Sequence, residues 1–259
     1  RKKKLSTYWK IVRELRKENG ELGVIFVNTF ISALLFRLGN VKKNIGYNRE
    51  GRGFLLDFSP EINYHKHYIN RYAFLFNEYI GNKYVYLPEL SLRYTGQKTF
   101  QFDNSHKTIA LYLGGENKEF RKYPDEYAVQ LLRLLNRQGY NLLLIGDEND
   151  NIKHTQYAEE ARIDHLINLT ARTTIEGFIN TIANVDLIIT IDSSALHIAA
   201  AVKTPFIALM GLSTSPTSTI LPKVPLGRIL KIENNLIREE DYIRNITPDL
   251  ILKTISELI

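Results

Sequence analysis

Cysteine is absent from the 259 residues, which excludes disulfides and thiolate metal sites and fits a reducing compartment. No apolar run approaches the ~20 residues that cross a bilayer. Arg1-Lys2-Lys3-Lys4 leads into an amphipathic pattern, not the apolar core of a signal peptide, so the expectation is a cytoplasmic protein. No zinc-finger, RRM or KH pattern is present and the lysines are dispersed, which argues against nucleic acid as partner. His65 and His67 lack the i, i+4 spacing and the companion carboxylate of a helical metal site, and no Asp-x-Asp motif sits on a loop, so no metal is expected.

What is present describes an ordinary globular chain, 44% hydrophobic and 24% charged, long enough for two modest domains or one large one. The net charge of +6 and a pI near 9.3 call for an acidic partner without naming it.

Hydrophobic periodicity organises the chain. Tyr8, Ile11, Val12 and Leu15 recur at helical spacing within residues 6–18, and LGVIFVN (22–28) reads as a buried strand. A helix through Leu38 and a short strand over Val41–Gly46 follow, an αβαβ order that belongs to a doubly wound sheet. The basic, glycine-rich segment 45–55 comes next, then a helix over residues 65–80. Residues 82–103 are polar and read as a linker. Beyond it, strand 108–113, helix 125–138, strand 141–145 and helix 174–183 lead to a closing helix over 247–258.

The centre of the second half is residues 186–216, DLIITIDSSALHIAAAVKTPFIALMGLSTSP. Val185–Ile191 has the composition of a parallel strand buried on both faces. It stops at Asp192-Ser193-Ser194, where Asp192 or Ser193 caps an alanine-rich helix that Thr204-Pro205 ends. A second apolar run then reaches the hydroxyl-rich loop 211–217. In a parallel sheet both polar loops share one edge, where helix N–H groups and hydroxyls can seat an anion such as a pyrophosphate. His197 lies one turn inside the helix, within reach of the same ligand, or alternatively satisfied in the core. Standing alone, the corner could equally be a capped βαβ unit.

The order D-S-S-A-L-H-I-A-A-A, T-P, strand, G-L-S-T-S-P resembles, over about thirty consecutive positions, the donor-site signature of the ADP-heptose:lipopolysaccharide heptosyltransferase family, glycosyltransferase family 9. The resemblance implies an α/β protein of GT-B type, with two Rossmann-like doubly wound domains facing a cleft: residues 1–98 on the acceptor side and 99–259 holding the nucleotide-sugar. It implies an inverting, metal-independent glycosyltransferase that moves a heptose or related sugar from an ADP-sugar to a lipopolysaccharide core acceptor, in a Gram-negative bacterium. No cofactor is expected beyond that donor substrate. An anionic glycolipid acceptor at a membrane surface would suit the positive charge, with peripheral contact at the inner face. The alternatives are a non-catalytic sugar-nucleotide-binding module and a sugar-nucleotide epimerase of the same architecture.

The same resemblance assigns the site. Gly114 and Gly115, followed by Arg121-Lys122-Tyr123-Pro124, are similar to the family's G-A-x(n)-K-R-W-P element, and Lys122 is placed against the donor phosphates, with tyrosine in place of tryptophan. Asp150 stands four positions after Gly146, where an acid can accept from nucleoside hydroxyls; Glu148 is its rival, and an uninvolved solvated loop the third reading. The backbone around Ser193 and Ser194, with Ser213 and Thr214 opposite, would hold the pyrophosphate, while Asp192 and His197 would orient the transferred sugar or its phosphate. IGYNREGRG (45–53) matches the acceptor-facing stretch, which assigns Arg49 and Arg52 to acceptor phosphate or carboxylate. Lys122 and Asp192 are the candidate catalytic residues. The general base that direct displacement requires is expected ahead of residue 1, the first domain apparently lacking its N-terminal strand or strands.

Overall fold

The computed structural model describes residues 5–85, 89–103, 105–114, 120–211, 220–232 and 238–259. They fall into two compact units divided between Glu89 and Leu90, with Ile220 joining the first. The sequence reading set the division at 98/99. The difference arises because residues 90–103 are a strap on the second unit: Leu92 N donates to Ala201 O at 3.1 Å. Asn180, 2% exposed, accepts from Thr95 N and Gly96 N at 3.1 Å each and donates to Thr95 Oγ1 at 2.8 Å. The hydroxyls of Thr99 and Thr181 meet at 2.6 Å.

In the first unit, helix α1 (Leu5–Glu18) is followed by strand β1 (Leu22–Ile25), helix α2 (Phe30–Leu38), strand β2 (Lys43–Gly46) and helix α3 (Tyr68–Tyr79). β1 and β2 pair in parallel, Leu22 opposite Lys43 and Ile25 opposite Gly46. The helix starts are encoded locally: Thr29 Oγ1 accepts from Ser32 N at 3.3 Å to cap α2, and His67 Nδ1 accepts from Ile69 N at 3.3 Å to cap α3. α1 crosses α2 closely because Gly39 has no Cβ; one there would lie 2.6 Å from Leu15 Cβ. β1 is shorter than expected, since the backbone of Val27 turns away to meet Ser32 Oγ and Arg52.

The second unit is a six-stranded parallel sheet. Its strands are β3 (Thr108–Tyr112), β4 (Asn141–Leu144), β5 (Leu166–Asn168), β6 (Leu187–Ile191), β7 (Phe206–Leu209) and β8 (Gly227–Leu230), in the order β5-β4-β3-β6-β7-β8. The four central strands, β3, β4, β6 and β7, are buried along their whole length, which explains their continuous aliphatic runs. The crossovers are helices α4 (Asp125–Arg137), α5 (Asn151–Ala161), α6 (Ile175–Ala183) and α7 (Ser194–Val202), and α8 (Pro248–Ile255) packs on α4. α7 lies close to the sheet because the side chains it buries, Ala195, Ala199, Ala200 and Ala201 among them, are small. Strand order reverses direction between β3 and β6, the switch point at which doubly wound sheets open a crevice beyond their carboxyl ends.

Asn180→Ala removes the acceptor that holds the strap. The expected loss is about 1–3 kcal/mol of stability, with faster proteolysis inside residues 90–103. A melting curve and limited proteolysis check this together.

Candidate functional site

At the switch point the carboxyl edge carries a cleft of about 370 Å³. Its walls come from the ends of four elements: Tyr112 from β3, Gly146 and Asp147 after β4, Thr173 to Ile175 and Phe178 at the start of α6, and Ser194 and Ile198 from α7. Phe178 meets the Tyr112 ring edge-on at 6.3 Å, and Ile175 is 82% exposed at the mouth. An apolar shelf beside a carboxylate and hydroxyls suits a flat heterocycle carrying a sugar.

The corner after β6 forms as the residues dictate. Ser193, not Asp192, is the N-cap: its Oγ accepts from Ala195 N at 3.2 Å and lies 3.0 Å from Thr190 Oγ1. That hydroxyl is engaged within the fold, while Ser194 is exposed and lines the cleft. Asp192 closes the strand half-buried. His197 is exposed, which excludes the core reading; the residue of this turn that lines the cleft is Ile198.

The loop after β4 reassigns the acid. Asp150 is fully buried. Its Oδ2 accepts from Asp147 N at 2.9 Å while Asp147 Oδ1 accepts from Asn149 N at 2.8 Å, a reciprocal cap on the short turn Glu148–Asp150. A Cβ on Gly146 would sit 2.8 Å from that carboxylate, so glycine is required there. Burial, followed by Asp150 and Asp147, pushes the Tyr112 phenol well above its usual range, with a hydrogen bond to Asp150 contributing. Asp150 thus braces the cleft from behind. Asp147 is the carboxylate that lines it, and exposed Glu148 is not among its walls.

Lys122 does not line this cleft. Its Nζ lies 2.6 Å from Asp125 Oδ1, and it borders a separate cavity of about 260 Å³ with Phe120, Arg238 and Arg244. The same carboxylate takes Tyr157 OH at 2.5 Å and Lys153 Nζ at 3.1 Å. Burial alone would raise the Asp125 carboxyl, but hydrogen bonds from Lys122, Tyr157 and Lys153 outweigh it and hold it at about 2. Gly114 adopts φ +80° at the end of the β3 run, a conformation that favours glycine. Gly115, Ser213 and Thr214 lie outside the described residues.

In the first unit the two acceptor-side arginines part company. Arg49 is exposed, its guanidinium 5.3 Å above the Tyr64 ring. Arg52 is fully buried. Its Nε donates to Tyr47 O at 2.9 Å, its terminal nitrogens reach Ser32 Oγ at 3.0 Å and Asn28 Oδ1 at 2.9 Å, and Val27 O accepts a further bond. Burial lowers its pKa, opposed by Glu50. Arg52 cannot also clamp an acceptor anion; it stitches the β1–α2 turn to the loop after β2.

The model of Glycosyltransferase family 9 (heptosyltransferase) matches residues 8–240. The chain belongs to that family. It is 26% identical to lipooligosaccharide heptosyltransferase 2 of Haemophilus influenzae over 98% of this chain and 81% of that protein. Among solved structures, E. coli ADP-heptose lps heptosyltransferase II superposes with a TM-score of 0.82 at 21% identity, covering 98% of this chain and 81% of that one. E. coli heptosyltransferase WaaC with ADP-2-deoxy-2-fluoro heptose gives 0.74 at 16%, covering 97% and 76%. These likenesses establish the GT-B fold, and family membership makes the protein a glycosyltransferase, favouring neither the binding-module nor the epimerase alternative.

Sequence reasoning missed Tyr112, Asp147, Thr173, Thr174 and Phe178. One signal was available: Thr174 Oγ1 caps α6 by accepting from Gly177 N at 3.1 Å, so Thr173-Thr174 is another polar strand-to-helix corner on the same edge. Among the described residues no three histidine, aspartate or glutamate side chains are grouped to hold a metal.

Two substitutions follow. Arg52→Ala leaves several buried acceptors without a donor and costs about 3 kcal/mol or more in the first unit, read by thermal or urea unfolding. His154, fully buried with Nδ1 2.7 Å from Thr170 Oγ1, is pushed down to about 4 by burial, against the pull of Asp147. The unfolded chain binds this proton near pH 6.5 and the folded one only near 4, so stability is full above 6.5 and falls between the two. Wild type should lose about 2 kcal/mol by pH 5 from this group. His154→Phe should flatten that part of the profile, measured by melts from pH 7.5 to 4.5.

Proposed function

We propose that the protein transfers a heptose from ADP-heptose to a lipopolysaccharide core acceptor, with inversion and without a metal. The observation that carries the reading is the cleft at the β3–β6 switch point, on the sheet of a family 9 chain. Ile175, Phe178 and the Tyr112 ring form a face against which adenine can stack, and Asp147 can accept from ribose hydroxyls. Ser194 begins α7, so the diphosphate would lie at the start of a nine-residue helix, where N–H groups lack intrahelical partners and the dipole favours negative charge. The acceptor oxygen attacks the anomeric carbon as its proton passes to a base, and the bond to the β-phosphate oxygen breaks. The helix start and a nearby cation stabilise the departing ADP.

Arg49, exposed on the first unit, is the residue proposed to meet the acceptor's phosphate or carboxylate. The net charge of +6 supports peripheral contact with an anionic leaflet from the cytoplasmic side. Among the described residues no helix is long and apolar enough to cross a membrane. A Gram-negative source accords with the Haemophilus and E. coli relatives.

Incubation with ADP-heptose and deacylated lipopolysaccharide core should release ADP and extend the acceptor by one heptose, whereas UDP- and GDP-sugars should serve poorly. Absence of ADP binding would remove the reading. Asp147→Asn keeps the oxygen that caps the turn and discards the charge, so the donor KM should rise about 3- to 10-fold, with little change in melting temperature.

A further inference from the structure

The positive charge of the chain is concentrated in one of its units. Residues 1–89 carry 16 lysines and arginines against 8 aspartates and glutamates, a balance of +8, whereas residues 90–259 carry 18 against 20, a balance of −2. The division falls at the boundary between the two units. The whole excess therefore belongs to the first unit. Half of that unit's cations, eight, lie within residues 1–17, where Glu14 is the single acid.

Helix α1 carries cations beside apolar side chains that the fold leaves in water. Its inward side is Val12, buried, with Tyr8, Ile11 and Leu15 half-buried, and Leu15 packs against Gly39 at the end of α2. Leu5, Trp9, Arg13 and Arg16 follow one another at intervals of four, four and three residues, which sets them in one stripe along the helix. All four are exposed, Leu5 at 76% and Trp9 at 54%. Arg16 Nε donates to Leu38 O at 3.0 Å, and Leu38 is exposed as well. Lys10 and Lys17, both exposed, stand on the flank next to Arg13. Arg1-Lys2-Lys3-Lys4 directly precede the helix in the sequence.

A cationic surface alone would suit any polyanion, but Leu5 and Leu38 gain nothing from a chain of phosphates. At a bilayer surface every part of the stripe is used. Leucine and indole enter the boundary between headgroups and acyl chains, while lysines and arginines stay among anionic headgroups. We infer that α1 is the element through which the protein docks on an anionic membrane. This rests on the peripheral contact proposed above and assigns it to one helix of the first unit.

Trp9 is the single tryptophan of the chain, so its fluorescence reports on α1 directly. With vesicles of phosphatidylglycerol and phosphatidylethanolamine, wild type should co-sediment and its emission should move to shorter wavelength. Vesicles of phosphatidylcholine should do neither, and rising salt should release the protein. K10Q/R13Q should weaken partitioning about 10- to 30-fold and L5Q about 3- to 10-fold, each melting as wild type does. R137Q/K253Q removes the same charge from exposed positions of the second unit and should bind like wild type. Wild-type binding that K10Q/R13Q and L5Q leave unchanged, or that R137Q/K253Q weakens equally, would overturn the role of α1 and leave the peripheral contact standing. Failure of wild type to bind the anionic vesicles would overturn the contact and the helix with it; retention of a short RNA by that same protein would make nucleic acid the partner of these cations.

Discussion

The pairing of β3 with β6 is the constraint on which the second unit depends. Ile109 faces Leu187 and Tyr112 faces Thr190 along the ladder, and Asp186 Oδ2 secures its start by accepting from Thr108 N at 2.8 Å. The chain leaves β3 toward β4 on one side and leaves β6 toward β7 on the other, so the loops between diverge and cannot close over the sheet edge. The cleft is the consequence. Its walls among the described residues, from Tyr112 to Ser194 and Ile198, are strand ends, the loops after them and the first turns of the helices presented by that divergence.

A buried parallel sheet supplies shape but almost no chemistry, because its strands are aliphatic and its backbone is paired. Polar work is moved to the corners, and much of it is internal. Ser193 caps α7, Thr174 caps α6, Asp150 holds its turn and Asn180 holds the strap. Each buried polar group has to recover the hydrogen bonds it gave up in water, and these residues do so against the backbone. His154 carries the cost openly: among the described residues its buried Nε2 has no hydrogen-bond partner, and its neutral form is what the interior tolerates.

The architecture was legible because it is periodic. Continuous aliphatic runs identify doubly buried strands, and the Asp-Ser-Ser corner, the Thr-Pro stop and the alanine-rich helix sit where the residues place them. What could not be read was which polar side chains the fold consumes. Arg49 and Arg52 look equivalent in NREGR, but Val27, Asn28 and Ser32, two dozen positions away, claim one of them. Asp150 and Asp147 differ only by which of them the turn folds inward. The strap was misread as linker because its partners, Asn180, Thr181 and Ala201, lie about a hundred residues on.

These cases share one physical criterion. A ligand gains most from groups whose interactions are incomplete in its absence, since a side chain already satisfied must break one bond to make another. Arg52, Asp150 and Lys122 are satisfied and so have little to offer. Ile175, left 82% exposed, has the opposite character: an apolar side chain held in water gains on the order of 25 cal/mol for each Å² a ligand covers. Ser194, at the start of α7 on the same edge, lies where backbone N–H groups lack intrahelical partners. The edge thus offers uncovered apolar surface and the positive end of a helix dipole together, and a nucleotide diphosphate is a ligand that answers both.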